Sequence, residues 1–369
     1  MRILSRIAIY SLFVAPMFSS RWSGLTAQPV SGASRAATEN STRERNGQLD
    51  FSPLLGSWKY HLKRRLRPLT GSTDWVEFDG TGVCYKVWDG RSQLDTIEVD
   101  GPAGHIEGLT LRLYDPQSHR WRLYWVNSKV GIMDPPQVGQ FKDGTGEFYA
   151  QDTLNGKSIM IRFLWTKITS DSPHFEQSFS ADGGKTWEVN WITDQTRVPD
   201  EPERAPAIAA SGAQDHQHDF DFEFGAWKTH IRHLLRPLSG SDQWTDLDGT
   251  SVVHKIWGGR ANLGELEVTG EAASIEGLSL RVYNPTSRQW SIFWSNAKEG
   301  VLGAPMVGRF VNGRGEFYDQ ETFQGAAIFV RFIFSDITPT AFRLEQAFSA
   351  DGGKTWEPNW IATFTRQKQ

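Results

Sequence analysis

The chain of 369 residues contains a near-copy of itself. The string Phe179-Ser-Ala-Asp-Gly-Gly-Lys-Thr-Trp-Glu188 recurs letter for letter from Phe348 to Glu357, an offset of 169 residues. The same offset carries Trp58 onto Trp227, Trp75 onto Trp244, Trp125 onto Trp294 and Trp191 onto Trp360, with no gap and about half of the positions identical. A period this long is beyond solenoid repeats, so each copy must bury a core of its own. The chain divides into residues 1–27 as a leader, 28–47 as a flexible lead-in, 48–197 as the first copy, 198–217 as a linker and 218–369 as the second copy. The linker opens Pro199-Asp-Glu-Pro-Glu-Arg-Ala-Pro206, a polar tether that leads us to expect two independently folding units.

Each copy reads as strands. Turn signals recur through the first copy, among them Pro68-Leu-Thr-Gly71, Asp79-Gly80, Asp89-Gly90, Asp115-Pro116, Asp143-Gly144, Asn155-Gly156 and Asp182-Gly-Gly184. Between them run alternating segments such as Leu109-Thr-Leu-Arg-Leu-Tyr114 and Ile159-Met-Ile-Arg-Phe-Leu-Trp165. No stretch of useful length keeps the 3.6-residue helical period. The 16 Trp, 22 Phe and 8 Tyr also suit aromatic-rich strands better than helical bundles. The expected fold is all-β: two tandem antiparallel barrels of about 8–10 strands each.

The opening of each copy favours a barrel over a sandwich. Gly56-Ser-Trp58 and Gly225-Ala-Trp227 set Gly-x-Trp at the head of the first strand, which resembles the opening of lipocalin-like (calycin) barrels. The resemblance implies that the Trp packs beneath the lumen and that a basic residue, here Arg197 or Arg366, covers it. The further strings Trp-x-x-x-Asp-Gly-Thr, Lys-x-Trp-x-Gly-Arg, Ile-Glu-Gly-Leu, Gly-Glu-Phe-Tyr and Asp-Gly-Gly-Lys-Thr-Trp-Glu resemble a family of exported bacterial lipocalin-like domains of unknown function. That family supplies no catalytic residue to carry over.

Arg2 and Arg6 precede an apolar run from Ile7 to Phe18, and Leu25-Thr-Ala27 offers a cleavage site, so the leader reads as a secretory signal. The run is too short to span a bilayer, which takes about 20 apolar residues. An exported protein, periplasmic or secreted and without stable membrane insertion, is expected. A formal charge of −4 with no Lys/Arg block gives nucleic acid little to bind, so no nucleic-acid partner is expected. The single cysteine, Cys84, excludes an intrachain disulfide and any CxxC site, and it aligns with Val253 as a small apolar filler. No motif calls for a metal or cofactor. His216 and His218 in the linker make a two-ligand set, which is a poor metal site.

Ser180-Ala-Asp182-Gly-Gly184-Lys-Thr186-Trp187 fits the Asp-box pattern, a hairpin device in which Ser and Asp tie the turn. Comparing the copies suggests which strand faces are constrained. Trp121, Leu123, Trp125 and Asn127 become Trp290, Ile292, Trp294 and Asn296, whereas the alternate face drifts, so the Trp face is expected to point inward. A second set kept in both copies is polar: His61/His230, Arg67/Arg236, Lys86/Lys255, Arg91/Arg260, Glu107/Glu276, Arg112/Arg281, Tyr114/Tyr283 and Arg162/Arg331. Arg112 and Arg162 each oppose an apolar strand face. If the apolar faces fill the lumen, these Arg lie outside in ion pairs. If the Arg faces line it, they would hold an acidic or carbonyl-bearing ligand against Trp.

The leading function is a binding module for a small apolar or aromatic ligand held in the lumen. Its candidate contacts are Trp58, Trp121, Trp125, Asn127, Arg112, Tyr114 and Arg162, with Trp227, Trp290, Trp294, Asn296, Arg281, Tyr283 and Arg331 in the second copy. The first alternative is a lumenal acid/base enzyme of isomerase, cyclase or hydratase type, using His61, Glu107 and Tyr114 or, in the second copy, His230, Glu276 and Tyr283. The second is a carbohydrate or protein contact surface built from exposed Trp.

Overall fold

The computed structural model describes residues 47–169, 171–200 and 216–367. The leader, nearly all of the lead-in and residues 201–215 of the linker lie outside the described residues. The first copy forms ten strands: β1 (Gly56–Arg65), β2 (Trp75–Val87), β3 (Ser92–Gly101), β4 (Gly104–Asp115), β5 (Arg120–Asn127), β6 (Gln137–Lys142), β7 (Thr145–Leu154), β8 (Lys157–Thr166), β9 (His174–Ser180) and β10 (Glu188–Arg197). They pair antiparallel in chain order, and β10 closes on β1 with Trp58 opposite Arg197. The second copy repeats this as β11 to β20, from Gly225 to Arg366, in a second closed barrel. Closure leaves neither sheet an open edge.

Local chemistry explains most of the turns. Asp143-Gly144 and Asn155-Gly156 carry φ of 51° and 79° and of 50° and 79°, the double positive φ that a two-residue hairpin turn requires. Asp79-Gly80 does not turn at all and lies inside β2, paired with His61 and Tyr60 of β1. A Cβ on Gly80 would fall 2.1 Å from the Glu98 carbonyl oxygen, so close packing against β3 accounts for the glycine.

The base of each barrel is closed as the Gly-x-Trp resemblance implied. Gly56, at φ +110°, swings the chain from the short 3-10 turn at Ser52–Leu54 into β1. Trp58 then packs below the lumen and donates its Nε1–H to the Leu54 carbonyl at 2.7 Å. The Arg197 guanidinium covers the indole at 4.2 Å and donates to the carbonyls of Leu55 and Pro53. Trp227 and Arg366 repeat the arrangement at 4.1 Å. Phe51 and Trp121 pack with four further rings, Tyr114, Phe141, Phe148 and Trp165, to fill out the first base.

The barrels are docked, which revises the expectation of two separate units. Leu109, Leu111 and Leu113 of β4 turn outward, with Tyr124 and Val126 of β5, and meet Leu278, Leu280, Val282 and Phe293 of the second barrel in one buried cluster. The contact is reciprocal. Arg91 pairs with Glu276, while Arg260, its counterpart, donates to both oxygens of Glu107 at 2.7 and 3.0 Å. The two strings Lys-x-Trp-x-Gly-Arg and Ile-Glu-Gly-Leu therefore build a self-complementary interface of the kind found in two-fold dimers. No helix among the described residues is long and apolar enough to cross a membrane.

Candidate functional site

The first barrel encloses a cavity of about 350 Å³. Its walls have two characters. Leu123 and Trp125 of β5, Ile161 and Phe163 of β8, and Phe175 and Phe179 of β9 give an apolar, largely aromatic side. Tyr60 of β1, Asp95 of β3, Thr110 and Arg112 of β4, and Thr193 and Gln195 of β10 give a polar side that descends toward the base. Trp125 and Trp191 stand edge to face at the upper end, with ring centroids 6.4 Å apart.

The glycine of Ile106-Glu-Gly-Leu109 positions the first of these indoles. A Cβ on Gly108 would lie 2.1 Å from Cη2 of Trp125, and the equivalent atom on Gly277 would lie 2.3 Å from the Trp294 ring. Only a strand without a side chain at that point lets the indole lie flat along the wall. The Trp191 Nε1–H donates to Thr193 Oγ1 at 2.9 Å, which fixes the partner ring.

The polar side centres on an ion pair. Arg112 is fully buried and donates through Nη2 to Asp95 Oδ2 at 2.7 Å, and the Tyr60 hydroxyl donates to Asp95 Oδ1 at 3.1 Å. The guanidinium also lies 5.0 Å over the Phe51 ring and 5.4 Å over Trp165. Burial is the largest influence on Asp95 and pushes its carboxyl upward, opposed by Arg112. Burial and the Asp95 charge hold the Tyr60 phenol well above its ordinary range. Cys84, beside Arg112, is pushed up to about 12 by burial, so it stays a thiol at neutral pH. At the mouth, Asp134 still reaches solvent, yet the wall around it and the neighbouring Asp152 push its carboxyl up to about 6.

The structure separates the residues singled out from the sequence. Trp58 and Trp121 lie beneath the cavity, Trp227 and Trp290 are buried at the equivalent places of the second barrel, and Trp121 donates to the Gly47 carbonyl. Trp125 lines the cavity. Asn127 and Asn296 sit at strand ends and cap turns, each accepting from the backbone two residues on. Arg112 faces inward and Arg162 outward, where it covers the Asp-box Trp187 at 4.8 Å; Arg331 covers Trp356 in the same way. No single rule places the Arg faces of β4 and β8, because the apolar face of β4 is turned toward the other barrel. Tyr114 is buried near the base and bonds to His119. Its counterpart Tyr283 packs on Trp290.

His61, Glu107 and Tyr114 are not brought together. His61 stands on the outer face with Asp79 at 3.0 Å, and Glu107 lies in the barrel interface with Arg260. His230 and Glu276 are placed likewise, with Asp248 and Arg91. The Asp-box carboxylate of Asp182 accepts from the backbone and hydroxyl of Thr186, and these bonds hold it well below the carboxylate range. Among the described residues no group of three His, Cys, Asp or Glu side chains could hold a metal.

Tyr60, Asp95 and Gln195 were not singled out from the sequence. In the second copy they become Thr229, Gly264 and Phe364, so a search for residues kept in both copies passes over them. The usable signal was divergence between the copies on strand faces that point inward.

No protein-family model and no curated protein matches the chain. Among solved structures it is similar to an S-type phycobiliprotein lyase from Guillardia theta, at 13% identity and a TM-score of 0.31, covering 42% of this chain and 95% of that one. It is also similar to a protein of unknown function from the DUF3598 family of Nostoc punctiforme, at 10% identity and a TM-score of 0.26, covering 87% of this chain and 99% of that one. Likenesses at these scores carry no argument here. The two-barrel fold rests on the strand pairing itself.

Proposed function

We propose that the chain is an exported binding protein that holds a small apolar or aromatic ligand in the lumen of its first barrel. The observation that carries this reading is the cavity of about 350 Å³, walled by aromatic side chains and floored by a hydrogen-bonded polar network. Ligand pockets of roughly 300–1,000 Å³ commonly combine an apolar lining with a few placed polar groups. Export rests on the leader of residues 1–27, and N-terminal sequencing of protein from the extracytoplasmic fraction tests it.

The binding test uses N-phenyl-1-naphthylamine, an uncharged probe whose emission rises in apolar surroundings. The wild-type chain is expected to bind it and to transfer energy from Trp125 and Trp191. Leu123→Trp, which fills the cavity, should abolish binding, and the matching Ile292→Trp in the second barrel should leave it unchanged. Binding that survives Leu123→Trp in a folded variant contradicts the reading.

A further inference from the structure

The two lumens have diverged in one direction. At the offset of 169, Tyr60 becomes Thr229, Asp95 becomes Gly264, Thr193 becomes Ala362 and Gln195 becomes Phe364. Arg281 is kept, but Gly264 offers it no carboxylate. It turns to Glu223 instead, at 2.9 Å, which stands in the base where the first barrel has Leu54. Phe364 stacks on Phe342 with centroids 4.2 Å apart and planes 6° apart, and Phe342 in turn meets the Trp227 ring at 4.8 Å. The space that holds a polar floor in the first barrel thus holds an aromatic stack in the second.

Within the first floor, the ion pair leaves other polar groups facing the lumen. Tyr60 and Arg112 both donate to Asp95, and the charges of Asp95 and Arg112 cancel, although Arg112 Nε is left without a partner among the described residues. Gln195 lies directly across from Tyr60 in the β1–β10 pairing and lines the cavity. It is only 4% exposed as a residue and shows no side-chain hydrogen bond to another described residue, so its amide is free to pair with whatever fills the lumen. An amide that faces a largely apolar cavity favours an occupant that offers it a hydrogen bond. Thr110, also on the cavity wall and also without a side-chain hydrogen bond among the described residues, lies opposite Asp95 in the β3–β4 pairing.

Taking the lumen of the first barrel as the binding site, we infer that it alone takes one ligand per chain, an uncharged planar molecule whose single hydrogen-bonding group, such as a ring carbonyl, is read by Gln195 and Thr110. The ligand is uncharged because Arg112, the buried cation of this floor among the described residues, is already neutralised by Asp95, and Arg65 on the wall is paired with Glu188, so a ligand charge held at the floor would have no counterion beside it. It is planar because Phe163, Phe175, Phe179 and Trp125 present ring faces and edges on the opposite wall.

Three probes with one skeleton separate these features: 9-fluorenone, fluorene, which lacks the carbonyl, and 9-fluorenone-2-carboxylate, which adds a charge. Calorimetry on the full chain is expected to give one fluorenone per chain. Fluorene should bind about fivefold more weakly, the worth of one ordinary hydrogen bond, and the carboxylate at least about tenfold more weakly, since its charge enters unpaired. Gln195→Leu should erase the preference for fluorenone over fluorene while keeping fluorene bound, and Thr110→Val should reduce it if the first variant does not fold. Two fluorenones per chain, equal affinity for fluorene, undiminished affinity for the carboxylate, or no binding by any of the three overturns the inference. Equal affinity for fluorene leaves the lumenal reading standing, whereas that reading itself fails only if Leu123→Trp leaves probe binding intact.

Discussion

Gly108→Ala is the smallest change that tests how the cavity wall is built. In an ordinary strand this substitution stabilises, because glycine costs about 0.5–1 kcal/mol of backbone entropy relative to alanine. Here the new methyl would sit 2.1 Å from Trp125 Cη2 and 2.5 Å from Cζ2. Carbon atoms in contact rest roughly 3.5–4.0 Å apart, so the ring must withdraw by about 1.5 Å. Overpacking of this kind costs about 1–3 kcal/mol, which outweighs the backbone gain and leaves a net loss of about 1–2 kcal/mol. Urea denaturation of the full chain, followed by tryptophan emission and far-ultraviolet dichroism, measures it. Gly277→Ala should behave the same way through Trp294, where the gap is 2.3 Å. The origin of the loss is checked by removing the ring, since Gly108→Ala should cost nothing further in a Trp125→Ala background. A Gly108→Ala chain as stable as wild type, or one whose loss persists without the indole, refutes the argument.

The second barrel should show the pH dependence of a buried acid. Burial pushes Glu223 up to about 7 against the attraction of Arg281, so the folded chain binds more protons than the unfolded chain between about pH 4.5 and 7. Stability from this group is therefore greatest at the acid end and falls as pH rises through that window, by about 3 kcal/mol in all; Glu223→Gln should flatten the profile, and a wild-type profile that rises across the window contradicts the assignment. At the interface, Arg91→Ala and Glu276→Ala, both about a third exposed, should each destabilise by about 0.5–1 kcal/mol, and their double-mutant cycle should return a coupling; purely additive losses mean the pair contributes nothing. An isolated first barrel, residues 48–197, bares the Leu109, Leu111 and Leu113 face with Arg91 and Glu107 beside it, so it is expected to dimerise in analytical ultracentrifugation. A barrel that stays monomeric at tens of micromolar, about the concentration at which weak homodimers form, shows that the dock depends on the tether.

Much of the scaffold was legible in the sequence. The exact repeat, the Gly-x-Trp openings and the Asp-box hairpins pointed to two barrels, because each is a local device whose chemistry needs no distant partner. The candidate site was less legible. Alternation along β4 separated Arg112 from Leu109, Leu111 and Leu113, but a period of two says only that the faces differ. Which face is inside depended on the second barrel offering an apolar partner, and nothing local to β4 records that. Arg91 and Glu107 were visible as kept residues, and their role lay 185 and 153 residues away along the chain, in Glu276 and Arg260 respectively. Retention between copies favoured what both barrels share, the base and the interface. The polar floor of the first lumen is where the copies differ.

Native mass spectrometry of the full chain purified from the organism that encodes it tests the account most directly. The account expects a single noncovalent adduct of small-molecule mass on the wild-type chain, retained in Ile292→Trp and missing in Leu123→Trp. A chain that carries no adduct from its own host, or an adduct that persists once the first lumen is filled, would contradict the claim that this lumen is the binding site.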